Sequence, residues 1–310
     1  KNKSKIISIN ILILFIGLFA VEVYWRIYLA SDITLTLNVS KNVTLLHEPH
    51  NMYETNKPFV TYSRNMYGLR TKHLVPNEID VLVVGGSTTD QRYIDDQEEW
   101  VAIFEAQSGL KSANAGVDGQ STYGHLKNFE QWFSKIPKLN PKYIVFYVGV
   151  NDFYKDANFN YDIMQANEIK KDFNYYFDTS HLRFLQNLFL GVYQAQKANV
   201  GHGAMSLDKL ELTSTGLIDK SRYQSLMDKR LKDYKSRLMS LAFKSDSMGA
   251  IPVFVTQSTI EEAIFNKKAK APSFVQDYDS YQINGIDRVI MRSILNATTM
   301  TICDDFVGAV

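Results

Sequence analysis

The sequence predicts an α/β fold in which parallel β-strands form a sheet covered by helices on both faces. From Asp80 onward, short apolar runs alternate with longer amphipathic segments, which is the pattern of a parallel sheet buried on both sides. Glycines follow two of the amphipathic segments, where helices would end. Of the 310 residues, 45% are hydrophobic and 22% are charged, so the chain can bury a substantial core.

The N-terminal segment, residues 1–28, is predicted to be a transmembrane anchor. Three lysines within the first five residues precede a run from Ile6 to Trp25 that is apolar except at three positions. A spanning helix needs about 20 such residues. By the positive-inside rule, the lysines predict a cytoplasmic N-terminus and place the rest of the chain on the extracytoplasmic side. A cleaved signal peptide and a buried core helix are alternatives, although no clear small-x-small cleavage site follows the run.

Residues 29–79 are predicted to be a stalk or linker. Short β-like stretches, such as residues 33–37, alternate there with residues that favour turns, and no repeat is present. The folded domain is therefore expected to cover residues 80–310.

Five apolar runs in this domain predict five parallel strands. Right-handed crossovers between them would place all their carboxyl ends at one edge of the sheet, where ligands bind in open α/β folds. The third run is continuously apolar, as expected of a central strand. The runs are Val81–Val84, Ser112–Ala115, Tyr143–Val148, Ile251–Val255 and Thr299–Ile302.

Two helices are predicted between these strands. One covers Glu98–Gln107 and ends before Gly109, and the other covers Ser221–Met248 and ends before Gly249. The segment 153–220 is too long for a simple connection and is rich in Tyr and Phe. We interpret it as a helical insertion over the ligand-binding edge, with packing of its aromatics into a small core of their own as the alternative.

Polar residues and glycines follow the first three predicted strands. The first strand runs into Gly85-Gly86-Ser87, the second into Asn114-Ala115-Gly116, and the third into Gly149-Val150-Asn151-Asp152. A serine after two glycines at a strand end can project its hydroxyl from the edge of the sheet. A phosphate-binding loop of the Walker type is excluded, because no Gly-Lys-Ser/Thr follows.

These three blocks, in this order, resemble those of the SGNH (GDSL-like) hydrolases over about residues 80–305. The resemblance implies a flavodoxin-like three-layer α/β/α sheet. It also implies a serine esterase in which Ser87 attacks an ester carbonyl and forms an acyl-enzyme. The backbone N–H groups of Ser87 and Gly116 and the side-chain amide of Asn151 would form the oxyanion hole. Asp152 is expected to stabilise its turn, and no cofactor is implied.

The fourth block of this family, an Asp-x-x-His after the fifth strand, has no counterpart at that place. The fifth predicted strand runs into Cys303-Asp304-Asp305-Phe306, and no Asp-x-x-His follows. We therefore expect the C-terminal end to be truncated and the 310 residues to turn over little substrate. His125, after the second strand, is a weak substitute for the base, with a surface or capping role as the alternative.

Charge and cysteine content exclude some functions. With 34 basic and 33 acidic residues the net charge is +1, so nucleic acid is not an expected partner. The single Cys303 excludes an internal disulfide, and no histidine pair has ligand-like spacing for a metal. The expected substrate is a small acyl ester or an O-acetylated cell-surface glycan. The alternatives are an inactive glycan-binding domain and an acyltransferase accessory domain.

Overall fold

The computed structural model describes residues 2–28, 37, 39–49, 55–155, 162 and 210–306. The strands are β1 (Val43–His47), β2 (Val60–Arg64), β3 (Val81–Gly85), β4 (Ser112–Asn114), β5 (Tyr143–Tyr147), β6 (Leu212–Thr213), β7 (Ile251–Val255), β8 (Ala271–Pro272), β9 (Gln276–Tyr278) and β10 (Tyr281–Ile283). The α-helices are α1 (Asn2–Tyr28), α2 (Ser87–Asp90), α3 (Trp100–Ser108), α4 (Thr122–Gln131), α5 (Val150–Tyr154), α6 (Tyr223–Ser247), α7 (Ile260–Lys268) and α8 (Gly285–Asp305).

The central sheet has four parallel strands in the order β4-β3-β5-β7. In chain order this is 2-1-3-4, the order that flavodoxin-like sheets share. The chain leaves β3 toward β4 on one side and returns to β5 on the other. Connections therefore diverge at the carboxyl ends of β3 and β5, and this switch point is where such folds bind ligands.

Helices cover both faces of the sheet, so the domain has three layers. On one face, α4, α6 and α8 bury the main core, which includes Phe146 of β5 and Tyr234 and Leu238 of α6. On the other face, α3 packs Val101 against Val81 and Val83 of β3. The three-layer α/β prediction is confirmed in this coarse form, with four strands in the described sheet.

The predicted fifth strand, Thr299–Ile302, is wrong, because these residues belong to α8. Asn284 begins this helix with a capping box, in which its side chain accepts from the backbone of Asp287 and the Asp287 carboxylate accepts from the backbone of Asn284. Buried positions recur every three or four residues along the helix, through Leu295, Thr299 and Ile302. A four-residue window with three β-branched residues concealed this longer helical period.

The predicted stalk is also wrong over much of its length, because residues 60–79 are part of the folded domain. Strands β1 and β2 form an antiparallel hairpin. Leu69 is buried in the main core, and Leu37 and Val39 lie in the same core. Arg70 pairs with Asn114 at the end of β4. The hairpin segment thus packs beside the strands that carry the predicted site.

Helix α1 forms where the sequence predicts a helix, and its described apolar side chains from Ile6 to Val21 are exposed. Within the described residues, however, no helix combines the length and apolarity that crossing a membrane requires. The transmembrane part of the prediction is therefore not supported there. Most of the predicted insertion, residues 153–220, lies outside the described residues.

Candidate active site

Ser87 lies at the carboxyl end of β3, where the chain turns into α2. All five residues of β3 are buried, whereas Ser87 is exposed. A β-carbon on Gly86 would lie 2.5 Å from Asn151 Nδ2. Only glycine lets the turn approach Asn151 this closely. The serine hydroxyl is thus presented beside Asn151, at the switch point of the sheet.

Asn151 lies in α5, directly after β5, and its amide faces the serine turn. Asn151 Nδ2 donates to the backbone oxygen of Gln120 at 2.8 Å. An amide group carries two hydrogens, so this bond fixes the side chain and leaves one hydrogen for a ligand. The predicted role of Asn151 as an oxyanion donor is compatible with this arrangement.

Gly116, the second predicted oxyanion residue, is placed differently from the prediction. Its N–H donates to Asn114 Oδ1 at 2.8 Å, and its carbonyl accepts from Arg64 Nη2. The residue is buried, and a β-carbon there would lie 2.4 Å from the backbone nitrogen of Asp90. The N–H of Gly116 is therefore already used inside the protein and is not available to a substrate.

Gly119, three residues later, has the properties that Gly116 lacks. It is half-buried in a turn, its φ is +73°, and its N–H makes no hydrogen bond to the described residues. The next residue, Gln120, is the one whose carbonyl holds Asn151. The turn thus places an unused backbone donor close to Asn151. Sequence reasoning chose the first glycine after β4 and overlooked the one in the Asp-Gly turn.

A buried glutamine, Gln257, joins the loop after β7 to this site. Gln257 Nε2 donates to Thr88 Oγ1 at 3.1 Å and to the Tyr147 carbonyl at 2.7 Å. Its Oε1 accepts from the backbone N–H of Val150 at 2.8 Å. Gln257 therefore holds the serine turn and the start of α5 together, and does not line an open cleft.

A buried polar network supports α2 from behind. Asp90 Oδ1 accepts from Tyr62 Oη at 2.8 Å and from Arg64 Nη2 at 2.7 Å. The same Arg64 nitrogen also donates to the carbonyl of Gly116. Arg70 donates to the carbonyls of Asp90 and Gln91. The hairpin thus connects the serine turn to the loop after β4, and no sequence motif indicated this network.

Asp152 stabilises the site's framework, as expected. It is buried, and its carboxylate accepts from the backbone N–H of Thr122 and from Arg237 Nη2 at 3.2 Å. Thr122 begins α4, so Asp152 joins α5 to the N-terminus of that helix. Burial raises the pKa of Asp152, against the lowering effect of Arg237 and Thr122.

No described side chain accepts a hydrogen bond from Ser87 Oγ. His73 Nε2 lies 2.9 Å from Glu105 Oε2, away from the serine. His125 is 1% exposed, with Nδ1 3.0 Å from Gln120 Oε1, and burial lowers its pKa to about 4. It is a neutral interior side chain. The predicted substitute role of His125 as a base therefore finds no contact that would serve it.

One Asp-x-x-His does occur in the sequence, at Asp178-Thr179-Ser180-His181 within the predicted insertion. It lies outside the described residues, as do His50 and His202. Sequence reasoning looked for the block only after the fifth predicted strand and missed this one. Within the described residues, no group of three or more metal-ligating side chains forms a metal site.

Comparisons with known proteins identify similar folds among solved structures. No family model matches the chain, and no curated protein matches it. One similar structure is the psychrotrophic esterase EstA from a Pseudoalteromonas species, 11% identical over 74% of each chain, with a TM-score of 0.36. Another is a variant of the acetyl xylan esterase Axe2 from Geobacillus stearothermophilus, 14% identical over 73% of this chain and 72% of that one, with a TM-score of 0.34.

A third similar structure is a putative lipolytic protein of the G-D-S-L family from Desulfitobacterium hafniense. It is 10% identical over 71% of this chain and 99% of that chain, with a TM-score of 0.30. At such scores these likenesses carry no argument about chemistry. The chemistry of this site is therefore argued from its own residues.

Proposed function

We propose that the protein is a serine ester hydrolase in which Ser87 is the nucleophile. The observation that supports this proposal is an exposed serine at the carboxyl end of β3, next to the Asn151 amide. Gly119 adds a backbone N–H without a partner among the described residues. An exposed nucleophile with candidate oxyanion donors on the neighbouring loops of a switch point suits acyl transfer.

In the proposed reaction, Ser87 Oγ attacks the acyl carbonyl carbon while its proton passes to a base. Negative charge develops on the carbonyl oxygen, and the remaining Asn151 amide hydrogen and the Gly119 N–H stabilise it. The carbon–oxygen bond to the alcohol then breaks, and the alcohol leaves with a proton. Water hydrolyses the acyl-serine and regenerates Ser87. The base is the group that experiment has to locate, because no described histidine contacts the serine.

We propose O-acetyl esters on a glycan as the substrate class. The support is the predicted extracytoplasmic location, where acylated surface glycans would be accessible. An acyltransferase would use the same acyl-serine with a sugar hydroxyl in place of water, and a binding domain would use the edge without turnover.

The test measures acetate release from acetylated glucose and covalent labelling by a fluorophosphonate, both with the 310-residue chain. We expect the label on Ser87 together with slow hydrolysis, because no described histidine contacts the serine, and Ser87→Ala should lose both. Ser134→Ala, an exposed serine at the end of α4, is the matched control and should retain both. Hydrolysis retained by Ser87→Ala contradicts the nucleophile. Binding of acetylated sugar without labelling or turnover favours a binding domain.

A further inference from the structure

Two arginines of α8, Arg288 and Arg292, are buried without partners for most of their guanidinium nitrogens. Each is 2% exposed. Nη1 and Nη2 of Arg288, and Nε and Nη1 of Arg292, make no hydrogen bond within the part of the chain that the structure describes. Arg288 Nε lies 3.2 Å from Glu261 Oε1. Within the described residues, this is the ion pair that the two arginines make. Four buried nitrogens therefore carry donors with nothing to accept from them.

Burying these guanidinium donors without acceptors destabilises the folded chain unless a bound group supplies the acceptors. A guanidinium stays charged in proteins, and a buried charge without partners is strongly unfavourable. Burial lowers the pKa of Arg292, which is the expected sign of poor solvation. Glu262, the other nearby carboxylate, is bound to the backbone N–H of Thr259 in a helix cap. Arg292 thus makes no ion pair within the described residues, although the charges of Glu261 and Glu262 are near enough to oppose the lowering of its pKa.

Arg288 and Arg292 extend from the same face of α8 and carry donors suited to planar oxygen acceptors. Positions 288 and 292 are one helical turn apart, and side chains at this spacing lie on the same face of a helix. Guanidinium groups present donors in a fork that matches the paired oxygens of carboxylate and phosphate groups. A single such anion would satisfy donors from both arginines.

Exposed aromatic rings cover both arginines. The Phe274 ring centroid lies 4.1 Å from Arg288 Cζ, and the Phe274 side chain is 40% exposed. The Tyr154 ring centroid lies 5.8 Å from Arg292 Cζ, and Tyr154 is 50% exposed. Exposed side chains change rotamer within nanoseconds. Phe274 beside Arg288 and Tyr154 beside Arg292 are thus exposed rings that can change rotamer, whereas the buried Phe153 also packs against Arg292.

The arginine pair lies next to the candidate active site. Arg292 Cζ is 4.4 Å from the ring centroid of Phe153, two residues after Asn151 in α5. One turn beyond Arg292, Asn296 Nδ2 donates to the carbonyl of Gln257 at 2.9 Å. Gln257 in turn binds Thr88, the neighbour of Ser87. The arginines and the serine thus belong to one edge of the sheet.

We propose that Arg288 and Arg292 form an anion-binding subsite that recognises a carboxylate or phosphate group on the ester substrate. The substrate is then an acylated acidic molecule, such as a sugar that carries a carboxylate. The reference to a substrate rests on the proposed esterase function, whereas anion binding by the two arginines is independent of it. The subsite donates hydrogen bonds from Arg288 Nη1 and Nη2 and from Arg292 Nε and Nη1.

The first test measures binding in the 310-residue chain carrying Ser87→Ala, so that turnover plays no part. Thermal unfolding is followed at low ionic strength with inorganic phosphate, with glucuronate, and with glucose as the neutral control. We expect phosphate or glucuronate to raise the Tm by about 2–4 °C or more at saturation, and glucose to leave it unchanged. Comparing the two anions separates a phosphate ligand from a carboxylate ligand.

Arg292→Met and Arg288→Met should abolish this rise in Tm. Without anion, Arg292→Met should unfold at the same temperature as its parent or higher, because it removes an unpaired buried charge. Arg222→Met, at an exposed arginine bonded to Tyr281 Oη, is the matched control and should keep the full rise. An unchanged anion effect in both buried variants overturns the proposal. A Tm of Arg292→Met several degrees below that of its parent, both without anion, also overturns the proposal. The arginine would then be a structural support for the aromatic rings.

The second test compares hydrolysis of acetylated glucuronate and acetylated glucose by the chain with Ser87 intact. Arg292→Met should lower kcat/KM at least tenfold for the acidic ester and leave the neutral ester unchanged. If neither ester is hydrolysed but the anion still stabilises the Ser87→Ala chain, the esterase proposal fails and the anion subsite stands. Equal loss for both esters overturns the subsite.

Discussion

At the scale of a single residue, the amide of Asn151 makes one structural hydrogen bond and has a second, chemical role in the proposed mechanism. One hydrogen bonds the carbonyl of Gln120, and the other is available beside Ser87. Asn151→Ala should lower kcat by ~10²–10³ with little change in KM, because an oxyanion donor acts mainly in the transition state. Steady-state hydrolysis of a neutral acetyl ester measures it.

A matched asparagine provides the control for this prediction. Asn140 precedes β5 at the opposite edge of the sheet, so Asn140→Ala should leave kcat within about twofold of the parent, as for surface changes away from a site. An unchanged kcat in Asn151→Ala would remove this residue from the proposed oxyanion hole and leave Gly119 as the donor to examine.

His125 should make stability depend on pH. Burial lowers its folded pKa from 6.5 to about 4, so between these values the unfolded chain binds more protons than the folded chain. Stability then rises with pH in this window and is lost as the pH falls from about 6.5 toward 4. The full effect is about 3 kcal/mol, and urea unfolding at several pH values measures it.

The variant His125→Gln isolates this effect. It removes the titrating group and keeps a side chain that can bond Gln120, so the free energy of unfolding should change less between pH 6.5 and 4 than in the parent. Its esterase activity should remain, since His125 does not contact Ser87. A loss of activity would return His125 to the list of bases, and the same assay on His181→Ala tests the Asp-x-x-His of the insertion.

At the level of elements, the β1–β2 hairpin is the support of the serine turn. Arg64 of β2 bonds both Asp90 of α2 and the carbonyl of Gly116. Arg64→Met removes the closer ion-pair partner of the buried Asp90 carboxylate and leaves Arg92 Nε, 3.8 Å from Asp90 Oδ2, so it should lower the free energy of unfolding by ~3–5 kcal/mol. Urea denaturation measures the loss.

Two further variants show whether the lost ion pair is the cause. Adding Asp90→Asn to Arg64→Met removes the buried carboxylate charge and should recover part of the stability. Arg222→Met, an exposed arginine, should change it by less than ~0.5 kcal/mol. If Arg64→Met alone is as stable as the parent, the hairpin is not the support that its contacts indicate.

Elements also show where local patterns mislead. The strands β3, β5 and β7 were predictable because continuous apolar runs of five residues are typical of buried parallel strands. The end of α8 was not, since a run such as Thr299–Ile302 suits either a strand or one face of a helix. Its identity depends on the capping box at Asn284, fifteen residues earlier, and on burial against α6.

At the scale of the whole molecule, attachment to a membrane stays a prediction. Lysines before the apolar run of α1 predict a cytoplasmic N-terminus. In cells that produce the chain, the full sequence should remain with washed membranes, and a variant lacking residues 1–28 should be released. External protease should digest the domain of the full chain. Recovery of the full chain in the soluble fraction would contradict membrane attachment.

The sequence by itself determined the α/β class, the four strands of the central sheet and the positions of Ser87 and Asn151 at strand ends. These features depend on local periodicity and on residues that follow a strand directly, and both are legible along the chain. Only the tertiary structure decided that the Gly116 N–H is bonded inside the protein, whereas the Gly119 N–H has no partner among the described residues. It also decided that residues of the predicted stalk support α2, and that Arg288 and Arg292 are buried with most of their guanidinium nitrogens unbonded to the described residues. The physical reason is that hydrogen-bond satisfaction and burial depend on groups far apart in sequence, which come together only when the chain folds.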